Sequence, residues 1–128
     1  MKKILVADDD KECCCLLQDL LTDLGYEVHI ARDGAELYRM APRVMPDLII
    51  SDLDMPGLSG GTAQALLRTS EKTKNIPIIF ITGQGKDRQA RLVEFRPDTQ
   101  IFYKPLELKA LAVAVAEELD TTAGGGSA

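Results

Sequence analysis

Five polar side chains of this sequence each follow a short apolar run, and their types could carry out chemistry together. They are Asp8, Asp9, Asp52, Thr82 and Lys104. The runs before them have the composition of buried strands, and they are Ile4–Ala7, Leu48–Ser51, Ile78–Ile81 and Ile101–Tyr103. Because ligands of open α/β sheets bind beyond the carboxyl ends of the strands, we expect these five side chains to converge.

Such a convergence brings carboxylates together, and carboxylates repel one another unless a positive charge lies among them. Mg²⁺ suits this cluster, since it takes oxygen ligands and is usually held by one or two carboxylates together with phosphate oxygens. Lys104 could pair with a phosphate and Thr82 could donate to a phosphoryl oxygen. This combination is typical of phosphoryl transfer. Asp52 lies between the acidic pair and the lysine and is the candidate nucleophile.

Composition excludes several other classes of protein. The 128 residues suit one domain, and a net charge of −5 without a long basic run argues against a nucleic-acid surface. No stretch approaches a membrane span, and the first apolar run is too short for a signal peptide, so we expect a cytoplasmic protein. The sequence shows no Cys/His spacing for zinc, no Ser-His or Cys-His pairing and no glycine-rich phosphate loop after the first strand.

Alternating strands and helices must position the candidate residues. The predicted strands cover 2–7, 26–30, 47–51, 76–81 and 100–103, and the predicted helices cover 11–24, 34–41, 60–70, 86–96 and 106–119. Asp10, Asp33 and Ser59 are expected as N-caps, while Pro42 and Pro46 should break the chain after the second helix. We therefore expect a parallel sheet with helices on both faces.

The final residues read Thr-Thr-Ala-Gly-Gly-Gly-Ser-Ala and have little to bury. We expect one domain over 1–120 and a disordered tail over 121–128, which could be a native end, a linker or a cloning remnant.

The motifs resemble those of the receiver domains of two-component response regulators, the CheY-like superfamily. They are Ile4–Asp10, Asp47–Gly57, Ile79–Gly83 and Lys104-Pro105. Their order, with about forty, thirty and twenty residues between the key positions, is specific, and the likeness extends over about 2–119. The resemblance implies a flavodoxin-like (βα)5 three-layer sandwich. Its five-stranded parallel sheet would have the order 2-1-3-4-5, with helices on both faces.

The resemblance also implies roles and partners. The implied roles are phosphoacceptor for Asp52, metal binding for Asp9, Asp52 and the backbone carbonyl of Asp54, a water-mediated metal contact for Asp8, a hydrogen bond to the phosphoryl group for Thr82, and a charge pair with it for Lys104. Lys104-Pro105 resembles the family's cis peptide bond. The phosphoryl donor would be a histidine kinase or a phosphotransfer protein, the output protein or domain is not identified, and a homodimer is compatible with the family.

Several residues also have simpler interpretations. Asp10 is expected to serve only as a cap, and Asp54 is either a turn residue or, with Gln84, steers water at the site. His29 is assigned no role. The cysteines Cys13, Cys14 and Cys15 point about 100° apart on a helix, which favours one buried thiol and two near the surface over redox sensing or intermolecular disulfides.

One departure from the family pattern concerns the switch. Receivers commonly carry Tyr or Phe three residues before the lysine, but this chain has Ile101, with aromatics at Phe102 and Tyr103. Residues 95–98 also replace a usual alanine-glycine turn. A phosphate-independent binding module on the same fold is therefore the alternative function. A flavodoxin-like or phosphatase-type hydrolase is disfavoured, because no cofactor loop or second acid/base pair is present.

Overall fold

Strands and helices alternate along the chain, which a computed structural model describes over residues 1–83 and 100–124. The strands are β1 (Lys3–Ala7), β2 (Glu27–Ala31), β3 (Leu48–Asp52), β4 (Ile78–Thr82) and β5 (Gln100–Tyr103). The helices of this part are α1 (Lys11–Asp23), α2 (Gly34–Val44), α3 (Gly60–Leu67) and α4 (Leu108–Gly124). The helix expected over 86–96 lies outside the described residues.

The five strands form one parallel sheet in the order β2-β1-β3-β4-β5, as predicted. Strands β1, β3 and β4 are nearly continuous buried runs, because helices cover both faces of the sheet centre. The two outer strands, β2 and β5, are mostly half-buried, as their shorter apolar patterns indicated. The fold is thus the three-layer α/β sandwich that the motifs implied.

Alternate residues of each strand feed two separate cores. Leu5, Ile49 and Phe80 pack on the side of α2 and α3, whereas Val6, Ile50 and Ile79 pack on the side of α1 and α4. This two-residue alternation is the ordinary geometry of a strand, and it gives each helix pair its own apolar layer. None of the helices in the described residues is both long and apolar enough to cross a membrane.

The three predicted N-caps are confirmed. Asp10, Asp33 and Ser59 precede α1, α2 and α3, and each side chain accepts a backbone N–H of the first helical turn at 2.8 to 3.2 Å. These bonds satisfy donors that a helix start leaves unpaired, so the three helices begin where the sequence predicts.

Two predicted element ends are wrong. Helix α2 does not break at Pro42 but continues to Val44 and closes at Met45, whose N–H donates to Ala41 O at 2.9 Å. A proline in the last helical turn removes only one intrahelical hydrogen bond, and the buried Ala41 keeps the turn against the core. Helix α3 ends at Leu67 rather than at 70, and the chain then forms turns.

The C-terminal helix also differs from its prediction. Helix α4 continues to Gly124, so the predicted disorder is not found at 121–124. Thr121, Thr122 and Ala123 add backbone hydrogen bonds to a helix that already exists, which costs little once a helix is nucleated. Residues 125–128 lie outside the described part, and the domain boundary at 120 stays a prediction.

Two glycines lie where backbone packs on backbone. A Cβ at Gly60 would lie 2.2 Å from the carbonyl oxygen of Asp52, and a Cβ at Gly34 would lie 2.0 Å from that of Leu58. No side chain can give way at either place, because the obstructing atoms belong to the main chain. Gly60 therefore allows the start of α3 to fold back on the end of β3, and Gly34 allows α2 to begin against the β3–α3 loop.

Replacing Gly60 by Ala should destabilise the protein through this clash. We expect Gly60→Ala to lower the free energy of unfolding by roughly 3 kcal/mol, the range of an overpacked core. Urea unfolding followed by circular dichroism would measure the loss.

The control for this change is Gly83→Ala, because a Cβ at Gly83 meets nothing closer than the Lys104 Cδ at 3.7 Å. The control should change the free energy of unfolding by less than about 1 kcal/mol. Equal effects of the two substitutions would contradict the steric explanation.

Candidate functional site

The strand register brings the five candidate side chains to one edge of the sheet. Ala7 lies opposite Ser51 on β3, so the residues that come next, Asp8 and Asp52, are neighbours at the edge of the sheet. Further along, Asp52 lies opposite Ile81 on β4, and Thr82 lies opposite Tyr103 on β5. Lys104 comes directly after Tyr103, so Thr82 and Lys104 lie one and two residues beyond the level of Asp52, at the same edge of the sheet where the strand ends were predicted to converge.

The centre of the site is a cluster of three carboxylates. Asp8 and Asp52 are 1% and 4% exposed, while Asp9 is exposed at the surface. One carboxylate oxygen from each of the three lies within 4.8 Å of the others. Two buried carboxylates this close are costly unless a cation balances them, because burial and mutual repulsion both disfavour the charged form.

Lys104 supplies the positive charge among the described residues. Its Nζ lies 3.0 Å from Asp8 Oδ2 and 3.3 Å from Asp52 Oδ2, so one ammonium bridges the two buried carboxylates. The contact with Asp8 is an ion pair, and Oδ2 accepts no hydrogen bond from the described residues. Burial lowers the pKa of Lys104, but the interactions with Asp8 and Asp52 outweigh it and leave the pKa above its usual value. Lys104 therefore stays charged.

Asp52 is an acid of the cluster whose pKa is strongly raised. Burial raises its pKa, the hydrogen bond donated by the backbone N–H of Asp54 lowers it, and the charge of Asp8 raises it, with a net value of about 7. The N–H of Asp54 lies 3.1 Å from Asp52 Oδ1. A further cation would stabilise the charged form of a carboxyl group whose pKa lies near 7. Each unit by which the cation lowers this pKa corresponds to about 1.4 kcal/mol.

Thr82 closes β4 with a buried hydroxyl. The residue is fully buried, and its Oγ1 has no hydrogen-bond partner within residues 1–83 and 100–124. Leaving a buried hydroxyl unsatisfied costs about 1–3 kcal/mol, so a fold that keeps one usually has a use for it. Next to it, Gly83 leaves open the space in front of the Lys104 side chain.

Of the remaining predicted positions, some lie near the site and others lie outside the described residues. The side chain of Asp54 is exposed, and its backbone N–H contacts Asp52. The Lys104-Pro105 bond is cis, as the resemblance implied. Gln84 and the segment 95–98 lie outside the described residues.

The departure at position 101 has a clear structural setting. Ile101 is half-buried and packs on the α2–α3 core, Phe102 packs on the α1–α4 core, and Tyr103 is 43% exposed. An aliphatic side chain thus occupies the position next to Phe80 on β4. His29, which was assigned no role, makes a 2.7 Å contact with Glu27 on the outer strand β2.

The three cysteines follow the predicted pattern of exposure, with Cys13 buried, Cys14 half-buried and Cys15 exposed. Burial raises the pKa of Cys13 well above its usual range, and the neighbouring Asp8 raises it further. Burial likewise raises the pKa of Cys14 to about 11, with help from the charges of Asp8 and Asp10. Both thiols are protonated near neutral pH.

Cys14 is the residue near the site whose contact sequence reasoning missed. Its Sγ donates to the backbone carbonyl oxygen of Asp8 at 3.2 Å. It also lines, with Asp8, Asp9 and Cys15, a surface cavity of about 640 Å³ beside the cluster. The signal that could have found it is its place in the first turn after the Asp10 cap, which faces back towards the strand end.

The donor set fits Mg²⁺. All side-chain donors of the cluster are carboxylate oxygens, which hard divalent cations prefer, and the exposed Asp9 leaves the cluster open to water and phosphate. Burial, together with the charge of Asp8, keeps the pKa of Asp52 raised even with Lys104 in place, so a bound cation would stabilise its charged form. The cysteine thiols do not join the cluster of ligand atoms among the described residues.

Comparison with known proteins agrees with this geometry. The chain matches the family model of the response regulator receiver domain over residues 4–116. It is 35% identical over 116 residues, 90% of its length, to the CAI-1 autoinducer sensor kinase/phosphatase CqsS of Vibrio cholerae, and it covers 17% of that protein. It is 41% identical over 80 residues to the response regulator PleD of Caulobacter vibrioides, which is 62% of this chain and 18% of PleD. The matched part of the chain thus spans about a sixth of the length of these two relatives.

Solved structures give the same result. The receiver domain of the sensor histidine kinase PA1611 from Pseudomonas aeruginosa, with magnesium coordinated in its active site cleft, has a TM-score of 0.82 at 26% identity over 92% of this chain and 97% of that one. The chemotaxis response regulator CheY4 of Vibrio cholerae has a TM-score of 0.80 at 29% identity over 93% and 99%. A family match over most of the residues, on a sheet of the same topology, shows that this chain belongs to the response regulator receiver domains of two-component systems.

Proposed function

We propose that Asp52 of this receiver accepts a phosphoryl group from a histidine kinase or a phosphotransfer protein in a Mg²⁺-dependent reaction that hydrolysis reverses. One observation carries the proposal. The buried Asp52 carboxylate lies 3.3 Å from the Nζ of the charged Lys104, with ligand oxygens of Asp8 and Asp9 within 4.8 Å. The protein would act as a phosphoacceptor switch that catalyses only its own phosphorylation and dephosphorylation.

The chemistry follows from these side chains. An oxygen of the Asp52 carboxylate attacks phosphorus, the P–N bond of the donor phosphohistidine breaks, and the electron pair of that bond stays on the imidazole nitrogen. Bound Mg²⁺, held by Asp8, Asp9, Asp52 and the backbone carbonyl of Asp54, would neutralise charge on the phosphoryl oxygens. Lys104 is placed to pair with one of these oxygens. The hydroxyl of Thr82, at the end of the next strand, would donate to another, and its lack of a hydrogen-bond partner in the described part of the chain supports this role.

Phosphorylation changes the charge balance of the cluster. The aspartyl phosphate carries up to two negative charges in place of the single charge of the Asp52 carboxylate, and it offers three acceptor oxygens where Lys104 now serves two carboxylates. Lys104 and Thr82 would turn to the new oxygens, and this movement would bias a two-state surface that an output protein or domain recognises. The expectations of a cytoplasmic protein that does not itself bind nucleic acid, with homodimerisation left open, belong to this proposal.

Phosphorylation of Asp52 predicts a specific covalent product. Incubation of the purified protein with acetyl phosphate and Mg²⁺ should add a single phosphoryl group to the wild type and none to Asp52→Asn. Intact-mass spectrometry measures the adduct, and omission of Mg²⁺ should abolish it.

A matched control is Asp54→Asn, the same chemical change two residues away on an exposed side chain. It should keep the adduct and alter mainly its hydrolysis rate, if Asp54 steers water. Labelling of Asp52→Asn to the level of the wild type would exclude Asp52 as the acceptor.

Thr82 offers a test that separates chemistry from folding. Thr82→Val keeps the shape of the side chain and removes a hydroxyl that has no partner among the residues the structure describes, so the unphosphorylated protein should be as stable as the wild type or slightly more stable. Phosphorylation by acetyl phosphate should slow about tenfold or more, since a hydrogen bond to a charged group contributes about 1.5–3 kcal/mol. Thermal unfolding and the labelling time course measure the two effects. Unchanged labelling would remove Thr82 from the site.

The raised pKa of Asp52 predicts a pH dependence of stability in the absence of metal. Folding favours the protonated acid, because the pKa rises from 3.8 to about 7. The acid therefore stabilises the fold below pH 3.8, and this contribution is lost as the pH rises towards 7 and beyond. Asp52→Asn does not titrate, so its stability relative to the wild type should increase by roughly 1–3 kcal/mol between pH 4 and pH 8.

Urea unfolding of both proteins in EDTA at several pH values measures this difference directly. A constant difference between them would contradict the raised pKa. Adding Mg²⁺ should restore the stability of the wild type above pH 7, since the cation binds the carboxylate form.

A phosphate-independent binding module remains the second candidate, and Ile101 is the observation that favours it. An aliphatic side chain packed on the α2–α3 core cannot rotate as an aromatic ring would. The acetyl phosphate experiment distinguishes the two functions, since a folded, Mg²⁺-loaded protein that forms no adduct, with a control receiver labelled alongside, would favour the binding module.

A further inference from the structure

The thiol of Cys14 holds the peptide unit that joins two of the three clustered carboxylate residues. Its hydrogen bond goes to the carbonyl oxygen of Asp8, at 3.2 Å. This oxygen belongs to the peptide group whose nitrogen is that of Asp9. Because a peptide group is planar, fixing its oxygen fixes the directions in which the chain leaves towards both residues.

Asp8 is restrained at every polar atom. Its backbone N–H donates to Ala31 O at 3.1 Å, and its Oδ1 accepts the N–H of Asp10 at 2.9 Å. Its Oδ2 pairs with Lys104 at 3.0 Å. The Cys14 thiol completes this set at the carbonyl oxygen, so helix α1 contributes a side chain as well as a cap to the end of β1.

Asp9 has no such support from its own side chain. The residue is exposed, and its carboxylate makes no hydrogen bond or ion pair with any residue of the described part of the chain. Its position in the cluster is therefore set by its backbone. Two side-chain contacts act on this backbone. Asp8 Oδ1 accepts the N–H of the peptide that follows Asp9, and the Cys14 thiol donates to the carbonyl of the peptide that precedes it.

We propose that Cys14 is a positioning residue of the acidic cluster, whose S–H orients the Asp8–Asp9 peptide so that both carboxylates face the cation. The proposal rests on the proposed function, since it concerns the Mg²⁺ affinity of the same site. Cys14 touches neither the phosphoryl group nor the reacting oxygen of Asp52. It acts through Asp8 and Asp9.

Three variants test the proposal. Cys14→Ala removes the donor, Cys14→Ser keeps a donor of similar size, and Cys15→Ala is the matched control for loss of a thiol on the next, exposed residue. Mg²⁺ affinity is measured by isothermal titration calorimetry, the ¹⁵N shift of the Asp9 amide is measured without metal, and thermal unfolding checks the fold.

Cys14→Ala should weaken Mg²⁺ binding about three- to tenfold, the usual effect of one hydrogen bond, and should shift the Asp9 amide. Cys14→Ser should recover most of the affinity, and Cys15→Ala should match the wild type in both measurements. A purely structural role for Cys14 would lower the melting temperature without this pattern of loss and rescue.

Two results would overturn the proposal: a Cys14→Ala protein with the affinity and the Asp9 shift of the wild type, or an equal loss in Cys15→Ala. Absence of Mg²⁺ binding in the wild type would instead contradict the proposed function. The Asp9 shift would still decide the role of the thiol, because it is measured without metal.

Discussion

The ammonium of Lys104 is the contact on which the site depends, because it is the cation that lies between two buried carboxylates in the described structure. At 3.0 Å from Asp8 and 3.3 Å from Asp52, it offsets a repulsion that the sheet itself creates. Parallel strands that all end at one edge bring their terminal side chains together regardless of charge. The topology of the sheet therefore concentrates negative charge at this edge, and the ammonium of Lys104 offsets the repulsion.

Much of this arrangement could be predicted from the sequence, because parallel pairing makes strand ends converge. Each of four site residues ends or follows an apolar run: Asp8, Asp52, Thr82 and Lys104. The positions of those runs are enough to predict that the four residues meet at one edge of the sheet. The helix caps were equally accessible, since Asp and Ser are residues that accept the free N–H groups of a first turn. These are local signals that tertiary packing reinforced.

The parts that could not be predicted depend on packing between distant segments. Pro42 does not end α2, because the buried Ala41 beside it keeps that turn of the helix against the core. The direct pairing of Asp8 with Lys104 depends on how far the lysine side chain reaches, which the motifs do not show. The Cys14 contact is similar, since only the orientation of α1 against β1 turns the thiol towards Asp8. In each case local propensity indicated the element and tertiary contact decided its detail.

The close approach of Gly34 to Leu58 has a mechanical meaning. The start of α2 lies directly on the main chain of the loop that follows Asp52, where an added methyl group would be 2.0 Å from the Leu58 oxygen. Side chains between two segments normally absorb small displacements by changing rotamer. Here no side chain lies between the two segments, so the main chain of the loop packs directly on the main chain of the helix. A displacement of the loop would therefore displace the start of α2 as well.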